Sequence, residues 1–266
     1  MAQELSITVL GAASCTPEAG RETASFCING RLLVDTGWNV VARLTACGID
    51  PLEIRDVLVT HCHHDHYMGI VSLLFAQGLR QSGTSEKLPL SVFGPAGEVG
   101  RVVTDAWRFL QTDRYPHLEV PVEIGDVVPG DELDLEGLRV LAARALHNVP
   151  SLHYRVTSAG GAAVTFSGDT PYSPGLVELA RGSELLIHEA SHGPNSTRAV
   201  ADAAHSGAPD AAHIAAEAGV GRLGLVHLSQ RAAEDALAAA RAIFAETFLP
   251  IEGEVLRPGT IASREV

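Results

Sequence analysis

Short apolar runs, each cut off by glycine, proline or a charged residue, recur along this chain and predict strands. Residues 5–10 alternate apolar and polar positions and end at Gly11, residues 31–35 close at Thr36-Gly37, residues 56–60 form a buried run, and residues 88–93 stop at Gly94-Pro95. Between them, apolar positions spaced three and four apart predict helices over 39–47, 69–77 and 97–110. The middle is β-rich, with strands expected near 119–124, 138–145, 152–157 and 162–167. Further on, helices over 174–181, 209–218 and 231–246 alternate with apolar strands at 185–187 and 223–226. The alanine-rich runs 199–216 and 232–242 read as close-packed helices rather than disorder. No repeat or Pro/Ser-rich linker divides the chain. The pattern therefore predicts one domain over 1–266 with a layered α/β architecture.

Composition narrows the picture. Hydrophobic residues make up 46% of the 266 residues, enough for a sizeable core. No run approaches the roughly 20 apolar residues of a membrane span. The first residues have neither a basic start nor a long apolar segment, which points to the cytoplasm. A net charge of −13 and the absence of a basic run argue against an extended nucleic-acid footprint. The four cysteines form no CxxC pair and read as plain thiols.

The chemistry collects at strand ends. His61, His63, Asp65 and His66 fall within six residues, directly after the apolar run at 56–60. Extended backbone past Thr60 would point His61 and His63 the same way and Cys62 the other. Asp65 and His66 would follow on the turn into the next helix, within reach of a second metal. Imidazole and carboxylate suit zinc. Asp35, His147, Asp169, Glu189 and His227 also follow apolar strands. Each alone reads as a turn or a surface residue; together, at the ends of strands converging on one edge, they read as a site.

The chain resembles the metallo-β-lactamase-fold hydrolases, and among them the ribonuclease Z-like group. The resemblance rests on residues 10–14 and 33–37, on Thr60-His-Cys-His-His-Asp-His66, and on residues 93–97. It continues through His147, Ser-Gly-Asp169-Thr, His188-Glu-Ala-Ser191, Ala204-His205-Ser206 and Val226-His227. It implies a four-layer αββα sandwich. It implies two zinc ions, with manganese or iron as alternatives: one held by His61, His63 and His147, the other by Asp65, His66 and His227, with Asp169 between them. It further implies a nucleophilic hydroxide between the metals, formed from water that Asp65 orients and whose proton it takes up. Glu189 and His205 would form the proton-donating dyad, and Asp35 would support the ligand loop. A homodimer is the analogy's expectation, although no residue pattern carries it.

Departures bear on the substrate. His147 and Asp169 are 22 positions apart, too few for the protruding arm that transfer-RNA-processing members carry. Gly207 stands where a hydroxyl residue is usual, and His153 stands before Tyr154 where glycine is usual. Transfer RNA is therefore not the expected partner. The expected function is a phosphodiesterase acting on a small, anionic or cyclic phosphodiester. The alternative is a lactone, ester or thioester hydrolase, for which Asp169-Thr-Pro-Tyr172 has a suggestive spacing. A non-hydrolytic diiron or metal-binding module ranks last, since His63 stands where diiron relatives have Glu. The substrate wall is expected in 76–87 and 105–118, with Arg114 as the anion-binding candidate.

Overall fold

The computed structural model describes residues 4–259. The first sheet contains β1 (Ile7–Gly11), β2 (Ser25–Ile28), β3 (Leu32–Val34), β4 (Asp56–Leu58), β5 (Leu90–Pro95) and β6 (Val122–Val127). Its helices are α1 (Val40–Ala46), α2 (His64–Tyr67), α3 (Gly69–Arg80) and α4 (Val99–Leu110). The second sheet contains β7 (Glu132–Leu135), β8 (Leu138–Arg144), β9 (Leu152–Thr157), β10 (Ala163–Phe166), β11 (Leu185–Glu189), β12 (Arg222–Val226) and β13 (Thr247–Phe248). Its helices are α5 (Pro174–Ala180), α6 (Ala208–Ala218) and α7 (Ala233–Arg241), and β14 (Val255–Leu256) returns to the first sheet.

Among the described residues both sheets have seven strands, ordered β14-β1-β2-β3-β4-β5-β6 and β13-β12-β11-β10-β9-β8-β7. In the first, β3 through β6 run parallel; in the second, β10 through β13 do. The remaining pairs are antiparallel.

Strand alternation explains the layers. Val34 and Leu58 face Val140, Tyr154, Phe166 and Ile187 across the gap between the sheets. Their neighbours Leu33 and Val57 face outward and pack under Leu44, Ile70, Leu73 and Val103. On the other side Leu186, Leu223 and Leu225 lie under Leu176, Ala211, Ile214 and Ala240. Helices thus cover both outer faces, and the chain is an αββα sandwich.

The alanine-rich segment corrects one expectation. Residues 208–218 are the close-packed helix, but 199–207 are turns and extended chain. Gly207 and Pro209 fix the start of α6, with the Asp210 carboxylate accepting the Gly207 N–H at 2.9 Å. Gly207 also answers a packing need. A Cβ there would sit inside the carbonyl oxygen of Asn195. The glycine therefore carries no message about substrate.

Candidate metal centre

The carboxyl ends of β3, β4, β8, β10, β11 and β12 meet at one rim, where the two sheets part. Ligands of parallel sheets gather at such ends. Asp35 follows β3, His61 to His66 follow β4, His147 follows β8, Asp169 follows β10, Glu189 closes β11 and His227 follows β12. Asp35 and His227 hold φ of 55° and 56°, and Gly168 holds 56°. Such angles cost a non-glycine residue about 1–3 kcal/mol, so the surrounding contacts hold the side chains where they are.

The expected ligands converge in two groups. His61, His63, His147 and Asp169 form one; Asp65, His66 and His227 form the other. His63 Nδ1 lies 3.1 Å from His61 Nε2 and 3.2 Å from His147 Nε2. Asp65 Oδ2 lies 3.2 Å from His66 Nε2 and 3.1 Å from His227 Nε2. Asp169 Oδ2 is 3.6 Å from His61 and His66 and 3.7 Å from His227, so one oxygen faces both groups. A tetrahedral ion with bonds of about 2.0–2.1 Å needs ligand atoms about 3.3–3.4 Å apart. These spacings fit, and the buried His66 Nε2, without a hydrogen-bond partner, points into the same space.

The outer nitrogen of each ring is fixed. His61 Nδ1 donates to Thr60 Oγ1 at 3.1 Å, His66 Nδ1 to Asp35 at 2.8 Å, and His147 Nδ1 to the Ala204 carbonyl at 2.8 Å. His227 Nδ1 meets Ser191 Oγ at 2.8 Å. Four Nε2 lone pairs are thereby aimed inward. Thr60 and Ser191 stand within the motifs but draw no attention in sequence, because a hydroxyl in a motif does not reveal which ring it meets. Cys62 packs in the outer core of the first sheet and is not among the converging groups.

Charge separates the two groups. Burial and the neighbouring rings hold His61 below its ordinary pKa, and burial followed by neighbouring imidazoles does the same to His63. Burial would lower His66 and His227, but the carboxylates of Asp35, Asp169 and Asp65 more than offset it. His66 is held well above its usual value and His227 rises to about 9. Burial opposes ionisation of Asp65, yet its hydrogen bond to His227 and the adjacent His66 imidazole hold it far below the carboxylate range. Protons and divalent cations compete for these nitrogens, so metal binding here expels protons.

Beside the two groups, His205 Nδ1 lies 3.0 Å from Glu189 Oε1 and 3.6 Å from Asp169 Oδ2. Burial lowers the pKa of His205, but the Glu189 hydrogen bond and charge outweigh it and raise it. Glu189 also receives the N–H groups of Thr170, Ser191 and Ser206 at 2.9, 3.0 and 3.2 Å. It is thus the anchor of three loops as well as the partner of His205.

Of the two expected substrate residues, Arg114 is carried away from this centre, and Tyr172 lines a depression that shares Leu146, Asp202 and Ala203 with the cleft beside it. Arg114 follows α4, whose 12 residues begin near the rim and run away from it by about 18 Å. Its guanidinium lies over Tyr115, near the amino end of β5. The Tyr172 hydroxyl donates to Glu217 at 2.5 Å, and Arg198 covers its ring at 4.0 Å. The expected walls at 76–87 and 105–118 are likewise misplaced. The cleft beside the centre is lined instead by 95–96, 127–129, 144–152 and 202–204. No described helix is long and apolar enough to cross a membrane.

Residues 30–228 match the family model of the β-lactamase superfamily domain. The chain is 30% identical to a ribonuclease Z from Mycobacterium sp. (strain KMS), covering 84% of each chain. The metallo-β-lactamase-fold protein YhfI from Bacillus subtilis superposes with a TM-score of 0.82 at 22% identity, over 96% of this chain and 100% of that one. Human tRNase Z, short form, gives 0.74 at 25% identity, over 94% and 98%.

Proposed function

This chain belongs to the β-lactamase superfamily and is a metal-dependent hydrolase, and on that premise we propose that it cleaves small or cyclic phosphodiesters with two zinc ions. His61, His63 and His147 would hold one ion and Asp65, His66 and His227 the other, with Asp169 shared. When bound, such ions polarise a phosphoryl oxygen and make water a stronger nucleophile at neutral pH. The remaining work falls to the protein. Asp65 would be committed to the second ion, and a carboxylate that shares its charge with a cation is a weak base. Its Oδ1 therefore suits accepting a hydrogen bond from the attacking water, and orienting it, better than keeping the proton.

The observation that carries the proposal is the His205–Glu189 pair. Glu189 holds the imidazole at 3.0 Å and favours its protonated form. The other ring nitrogen is then a proton donor for a departing alkoxide. Tyr172, the residue that favoured a lactone or thioester, is engaged with Glu217 and Arg198. Transfer RNA is disfavoured because β9, β10 and their turn fill the interval between His147 and Asp169 with no protruding arm. Yeast PDE1 shares the fold, with a TM-score of 0.70 at 14% identity.

The test is turnover of bis(p-nitrophenyl) phosphate beside a lactone and thioester panel, with metal content measured on the same sample. Phosphodiester turnover at about two metals per chain is the expected result. Lactone or thioester turnover by fully loaded protein that leaves the phosphodiester intact would overturn the proposal.

A further inference from the structure

A cleft of about 790 Å³ opens beside the metal centre and shares His147 with it. Its floor is tied to the ligands, since the Ala204 carbonyl accepts from His147 and Ser151 bridges to His61. Most of the lining is apolar. Val128 and Leu146 are 48% and 44% exposed, and Pro129, Val149 and Pro150 complete the wall. Exposed apolar side chains gathered at the mouth of a site are what an apolar ligand group would cover.

One cation interrupts this wall. Along β8, Leu138, Val140 and Ala142 face the core between the sheets, and Arg144 continues that register at the strand end. Its side chain therefore emerges at the mouth, opposite Val127–Pro129, on the face that is apolar everywhere else along the strand. Nearly every other described arginine has an ion pair, a carbonyl or an aromatic ring; among the described residues the Arg144 guanidinium has none of these. Asp202, the carboxylate on the same lining, makes no ion pair with it. In a chain with 32 acidic and 19 basic residues, an unpaired guanidinium at the cleft is available to a ligand anion.

We propose that Arg144 binds a second anionic group of the substrate, separate from the scissile diester, while the apolar wall covers the portion between them. The substrate class is thus a compact phosphodiester with an apolar or aromatic body and one further carboxylate or phosphate. A polyanionic strand does not fit, because its successive phosphates need a track of cations and this lining offers a single arginine. The inference rests on the phosphodiesterase proposal for the centre itself.

The test uses binding, so that it is read apart from turnover. The probes are 4-carboxybenzyl methylphosphonate and its neutral carboxamide counterpart, titrated calorimetrically into metal-loaded protein. Wild type is expected to bind the carboxylate about tenfold tighter than the amide, as a charge-assisted contact requires. Arg144→Gln should erase that preference and leave amide affinity unchanged, and Arg144→Lys should keep part of it. Equal affinities in wild type, a preference that survives in Arg144→Gln, or failure of both probes to bind would overturn the assignment. Failure of the phosphodiesterase proposal is read separately, from the absence of bis(p-nitrophenyl) phosphate turnover.

Discussion

The carboxylate of Asp35 accepts a hydrogen bond from His66 Nδ1 at 2.8 Å, reaching from the end of β3 to the helix that follows β4. The same carboxylate receives the Thr60 N–H and hydroxyl, each at 2.8 Å. Thr60 in turn receives His61 Nδ1. Asp35 thus aims a ring in each of the two ligand groups. Asp35→Asn is expected to weaken metal affinity about 10- to 100-fold, the usual cost of losing such a support. Competition against a chromogenic chelator measures it; unchanged affinity would contradict the role.

His205 invites a test by leaving group. His205→Ala should slow cleavage of alkyl phosphodiesters by about 10²–10⁴ and barely affect p-nitrophenyl esters, whose phenolate departs without a proton. Equal losses on both would show that His205 does something other than protonate. His205 is the better target than Glu189, because Glu189→Gln also disturbs three loop N–H groups.

His153 predicts an acid limb in stability. Burial lowers its pKa from 6.5 to about 4, and its Nδ1 donates to the Ser167 carbonyl at 2.5 Å. The unfolded chain therefore binds the proton first as pH falls. Stability is full above pH 6.5 and is lost between there and about 4, amounting to about 3 kcal/mol. His153→Asn keeps a donor for Ser167 and should flatten that limb relative to wild type in urea unfolding across this range. Parallel profiles for the two proteins would refute it.

Gly207 can be probed by restoring a hydroxyl residue. Gly207→Thr should lower stability by about 1–3 kcal/mol, as overpacking does, because its Cβ meets the Asn195 carbonyl. It should bring no gain in phosphodiester turnover. A stable variant with higher turnover would return Gly207 to the substrate question.

The ligand set was legible because its chemistry is dense: four ligand-type residues in six after an apolar strand leave few other meanings. Most strands and helices were legible from their periodicity. Ser25–Ile28 and Glu132–Leu135 were not, the first because all four of its positions are buried and Ser25 and Cys27 blur its apolar pattern, the second because an edge strand exposes its polar residues. Thr247–Phe248 and Val255–Leu256 are two-residue pairings that exist only through their neighbours. The cleft was illegible for a different reason. Its wall joins a loop after β6 to a loop after β8, and no local pattern announces that meeting. Arg114 looked suitable by charge, whereas Arg144 is distinguished by register and by its lack of a partner.

The division of ligands between the sheets has one more consequence. His61, His63, Asp65 and His66 come from the first sheet, and His147, Asp169 and His227 from the second, so each group of ligands crosses the seam. The ions would therefore rivet the two halves of the sandwich together. A chain cut between β6 and β7 would give two fragments, neither carrying a full group, and a bound divalent ion would add to the apolar core in holding them together.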